Sequence, residues 1–116
     1  MGTKEKTTSK NIPLRISAAA IRHIDEITGY IAFIRHQPYN AIKVGDAFFE
    51  TFDKIAANPF VFRECEEMAT KTKMYRRAVC HSWSVIFKLL PTEIIILGII
   101  HHSRRPVAYK ALRRRR

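Results

Sequence analysis

The sequence predicts an α+β domain: an N-terminal strand, an α-helical hairpin, then a three-stranded antiparallel meander, the strands forming one mixed or antiparallel sheet. Two observations predict it. The apolar period changes from two to three or four after Ser17, and from Lys71 onward three strand-length runs follow, parted by short breaks. A chain of 116 residues suits one core. It divides into an arm over 1–10, a domain over 11–109 and a basic tail over 110–116.

In "NIPLRIS", Ile12, Leu14 and Ile16 alternate as in a short strand, with Pro13 near its beginning or at a sheet edge. Ile21, Ile24, Ile27, Ile31 and Ile34 then mark an amphipathic helix over roughly Ala18 to Arg35, with Ser17 as N-cap and Asp25 and Glu26 on the wet side. "HQPYNAI" breaks it, because proline disfavours helix at the preceding residue and suits the first turn of the next helix. The second helix carries a stripe of Ile42, Gly45, Phe49, Phe52 and Ala56, joined by Phe48 and Ile55. The stripe is expected in the core, and "NPF" at Asn58–Phe60 ends the helix.

"KMYRRAVCH", "SWSVIFKLL" and "TEIIILGII" form the meander, with turns around His81–Ser82 and Pro91–Thr92. The last run is apolar on both faces, which suits a central strand covered on each side. Trp83 alternates with Val85 and Phe87 and is expected in the core, and Lys88 marks a partly exposed position. The closing "KALRRRR" leaves room for a short C-terminal helix.

The formal charge is +11, and its placement matters more than its size. Residues 11–70 carry six basic and eight acidic side chains, whereas residues 71–116 carry twelve basic and one acidic. Such asymmetry points to an acidic partner, nucleic acid or protein. No apolar run is long enough to span a bilayer and the N-terminus has no hydrophobic signal segment, so a cytoplasmic protein without a membrane partner is expected. Cys65 and Cys80 lack CxxC spacing, so no metal, cofactor or disulfide framework is expected. Gly-rich phosphate loops, GxSxG and HExxH are absent.

The aliphatic run ends in "HHSRRP". Metal-free RNA cleavage would need a base, cations for the phosphorane and an acid. Lys71, Lys73, Arg76 and Arg77 at the first meander strand, and His101, His102, Arg104, Arg105 and Tyr109 after the last, supply those types. Strand alternation points Arg76 and Arg77 to opposite faces, and separates His101 from His102 likewise. His101 is expected in the core or an interface, while His23 and His36 are expected to have no direct function.

"IPLRISAAAIRHIDEITGYI", "NPFVFRECEE" and "MYRRAVCHSWSVIFKLLPTEIIILGIIHHSRRP" together resemble the RelE/ParE superfamily of bacterial toxins, over roughly Ile12 to Tyr109. The resemblance implies the toxin of a type II toxin–antitoxin pair, held silent in a hetero-oligomer by a small, acidic, partly disordered antitoxin. RelE-like members cut messenger RNA on the ribosome. ParE-like members lack that activity and poison DNA gyrase. The ribonuclease branch would use His102, Arg105, Tyr109 and Arg77 as catalytic groups, whereas target binding would use His102, Arg104, Arg105, Lys73 and Arg76. The H-x-R-R pattern at His102, Arg104 and Arg105 resembles the ParE-like close of the final strand, so that branch is favoured. A non-toxic nucleic-acid-binding module would use the same basic surface.

Overall fold

The computed structural model describes residues 12–103 and 106–113, and it makes the aliphatic run an inner strand of a four-stranded sheet. The strands are β1 (Leu14–Ile16), β2 (Tyr75–Cys80), β3 (Trp83–Leu89) and β4 (Ile94–His101), and the helices are α1 (Ala18–Gly29), α2 (Pro38–Ala57) and α3 (Pro106–Leu112). The sheet order is β1-β4-β3-β2, with β1 parallel to β4 and the other pairs antiparallel. Pro13 precedes the edge strand β1, where its missing N–H costs no ladder bond. No helix of the described residues is long and apolar enough to cross a membrane.

Both faces of β4 are covered. On one side α1 and α2 pack through Ile24, Val44, Phe48, Phe52 and Ile55 against Val85, Phe87, Ile94, Ile96 and Ile99. On the other, Ile86, Ile95, Leu97 and Ile100 pack with Cys65, Met68, Tyr109 and Leu112. The second layer is thin, made by a 3₁₀ turn at Glu66–Met68 and by α3. Leu112 is therefore core.

A β-bulge lets β4 serve two layers. Ile86 pairs with Gly98 and Phe87 with Ile96, so Leu97 is an extra residue in β4. Past it the alternation shifts by one, placing Ile99 with the helical hairpin and Ile100 with α3. Side chains of the first helical segment satisfy the disturbed backbone: the Ser17 hydroxyl donates to the Leu97 carbonyl at 3.1 Å, and the Ile99 N–H donates to His23 Nδ1 at 3.0 Å. Ser17 also caps α1, accepting from the Ala20 N–H.

The hairpin differs from expectation in two details. The first helix does reach the predicted end near Arg35, but its last part, Tyr30–Ile34, is a wider π turn closed by a left-handed His36, φ 55°. In α2 the buried face is Ala41, Val44, Phe48, Thr51, Phe52 and Ile55, so Ile42 and Phe49 of the expected core stripe lie outside, 60% and 47% exposed. The helix is apolar over a wide arc, and periodicity alone cannot say which edge of that arc meets the sheet.

Candidate functional site

The end of β4 delivers its imidazoles to the surface. His101, expected in the core or an interface, is exposed and so not in the core; the bulge turns it toward Trp83 at the rim of the hairpin side. The two rings meet edge to face with centroids 5.7 Å apart. The Ser103 N–H lies 3.1 Å and the Ser103 hydroxyl 2.8 Å from His101 Nδ1, which ties the ring to the turn. His102 is exposed in the turn that follows, its ring 6.5 Å from that of His101. Arg104 and Arg105, expected to complete this cluster, lie outside the described residues.

Tyr109 and Arg77 belong to the opposite face. Tyr109 sits on α3 at 4% exposure, packed in the core with Cys65 and Met68. Arg77 Nη1 lies 3.8 Å from Glu67 Oε1, and the Cys65 thiol donates to the same carboxylate at 3.6 Å. Burial, reinforced by Glu67, pushes the Cys65 thiol up to about 12 and raises Tyr109 as well. Both groups therefore stay neutral at physiological pH. On the ribonuclease reading both would act at one site; here Tyr109 is packed under α3, and Arg77 is partly exposed beside Glu67.

Arg76 and Arg77 do face opposite sides, as alternation requires. Arg76 donates to the carbonyls of Lys73, Phe60 and Phe62 at 3.1 to 3.3 Å, and so pins the loop after α2 to the start of β2. Its guanidinium is engaged in structure. Lys73 is exposed at a left-handed turn, φ 56°, where a target could reach it.

Two surface features were not anticipated residue by residue. A cleft of about 740 Å³ lies between the end of the first helix and the β2–β3 turn, with Trp83 and His101 in its wall. On the hairpin itself, Phe33, Ile42 and Phe49 border an open apolar groove between α1 and α2, with Asp25 and Asp46 beside it. The exposed half of the α2 stripe was the available signal for this groove.

A family model described as the ParE toxin of the type II toxin–antitoxin system, parDE, matches residues 14–106. The chain belongs to the ParE toxin family. Among solved structures, a chain of the chromosomal ParDE toxin–antitoxin system from P. aeruginosa superposes with a TM-score of 0.62 at 19% identity, covering 79% of this toxin and 97% of that chain. A chain of a RelBE toxin–antitoxin complex from Mycobacterium tuberculosis gives a TM-score of 0.51 at 14% identity, covering 78% and 98%. No curated protein sequence matches the toxin. The RelE/ParE superfamily fold expected from the sequence is thus the fold observed.

Proposed function

We propose that this toxin arrests growth by binding and poisoning DNA gyrase, and that it does not cut RNA. One observation carries the reading: among the described residues, three of the groups the ribonuclease branch would use, His102, Tyr109 and Arg77, do not share an open site. Tyr109 is buried against the far face of the sheet and Arg77 is paired with Glu67, while His102 stands exposed at the strand end. Metal-free cleavage needs acid, base and cation within hydrogen-bond reach of one phosphodiester. A protein-binding toxin needs no such convergence. It needs rigid charged and apolar surfaces, which the strand end and its neighbouring cleft supply.

The antitoxin partner fits the hairpin groove. Phe33 and Ile42 are 77% and 60% exposed and flank a groove between two helices, the geometry that accepts the apolar face of an amphipathic helix. Asp25 and Asp46 favour basic residues on that helix. The acidic character expected of the antitoxin then belongs to segments that meet the basic half of the toxin. Mapping of new RNA 5′ ends minutes after induction without antitoxin tests the reading. Growth arrest with intact messages is expected; cuts within translated frames that vanish in Tyr109→Phe would overturn it.

A further inference from the structure

The cleft between the first helix and the β2–β3 turn has an apolar floor and a basic rim. Ile27, Ile31, Val44 and Trp83 line the floor. Arg35, Lys43, His81 and His101 stand around it, against one carboxylate, Glu26. These basic groups come from four places in the chain: the end of the π turn, the second turn of α2, the β2–β3 turn and the end of β4. All four are exposed, and Arg35 and Lys43 form no ion pair among the described residues. Convergence of separate elements on one concavity distinguishes this cluster from a solvated charge run. At about 740 Å³ the cleft has the size of a binding site for a few side chains.

We infer that this cleft is the part of the toxin that grips its protein target, taking an acidic peptide segment of gyrase that seats an apolar or aromatic side chain against Trp83 and its carboxylates on Arg35, Lys43, His81 and His101. The inference rests on the gyrase reading and adds residues that no sequence pattern named. Charge complementarity selects an acidic occupant. The apolar floor selects a peptide side chain over a nucleic-acid strand. Position selects the target over the antitoxin. The cleft is continuous with the His101–His102 strand end, whereas the helix-accepting groove lies elsewhere on the hairpin.

The test uses the full chain and its cognate antitoxin. Arg35→Glu with Lys43→Glu, and separately Arg35→Gln with Lys43→Gln, are compared with wild type for inhibition of gyrase supercoiling. His81→Asn is a third variant, since asparagine tolerates the left-handed backbone at 81, φ 55°. Antitoxin affinity serves as the folding control. The charge-reversed double variant is expected to need about tenfold or more toxin for equal inhibition, with antitoxin affinity within about twofold of wild type. The glutamine pair should show a smaller loss in the same direction. Unchanged inhibition by the double variants overturns this assignment alone. So does loss of antitoxin binding with inhibition intact, which makes the cleft an antitoxin surface, or loss of binding to a fluorescent single-stranded RNA with inhibition intact. A wild-type toxin without effect on gyrase overturns the proposed function, and this assignment with it.

Discussion

Replacing Gly98 by alanine would put a methyl group 2.9 Å from both His23 Cε1 and Leu112 Cδ2, and 3.0 Å from His23 Nδ1. Two layers meet at that point, so relief on either side has a cost. Turning the His23 ring away gives up the bond from the Ile99 N–H, and moving Leu112 lifts α3 from the sheet. Overpacking of this kind costs about 1–3 kcal/mol, and a lost hydrogen bond to a buried amide adds about 1 kcal/mol. The sum, about 2–4 kcal/mol, corresponds to a fall in melting temperature of roughly 8–16 °C for a domain of this size. Thermal denaturation followed by circular dichroism reads it directly. In a His23→Ala background the ring contact is absent, so Gly98→Ala should cost at least about 1 kcal/mol less than in wild type. A melting temperature within about 2 °C of wild type, or an equal cost in both backgrounds, would refute the packing described for the bulge.

Other expected outcomes follow from the buried cluster and the groove. Because the folded-state pKa of Cys65 is raised from 9.0 to about 12, its stabilisation is whole below about pH 9 and is lost as pH rises toward 12. Urea midpoints should fall over that window, less steeply in Cys65→Ala than in wild type; parallel slopes would mean the thiol is not held neutral. Tyr109→Phe should leave growth arrest intact, and Tyr109→Ala should cost about 3–5 kcal/mol of stability by opening a core cavity, both read from growth curves and denaturant titration. Replacing Phe33 and Ile42 by serine should weaken antitoxin binding by about 30-fold or more in calorimetry, without loss of gyrase inhibition.

Much of the fold was legible in the sequence because its signals are local. The shift of apolar period after Ser17, the proline at 38 and the breaks at 81–82 and 91–92 each report the backbone of a few residues, and the elements begin and end close to them. The two-faced apolarity of β4 also read correctly, since a strand covered on both sides has no polar face to show. What stayed hidden depends on residues far apart in the chain. Gly98 marks the bulge only once His23 and Leu112 are known to press on it, and the bulge decides that His101 faces Trp83. Arg76 looked like a free cation because nothing local shows that the Phe60 and Phe62 carbonyls would claim it. Tyr109 was named for its residue type and the family resemblance, and neither shows that Tyr109 and Leu112 both turn into the core from the same helix. Arg35, Lys43 and His81 carry no motif at all, and only folding brings them to one cleft.

Purified toxin added to DNA gyrase and relaxed plasmid, with antitoxin added back in a second arm, tests the gyrase reading most directly. Dose-dependent loss of supercoiling with trapped cleavage complexes, reversed by stoichiometric antitoxin, is the predicted result. Unimpaired supercoiling at toxin concentrations that fully occupy the antitoxin, together with ribosome-dependent cutting of messenger RNA by the same preparation, would contradict it.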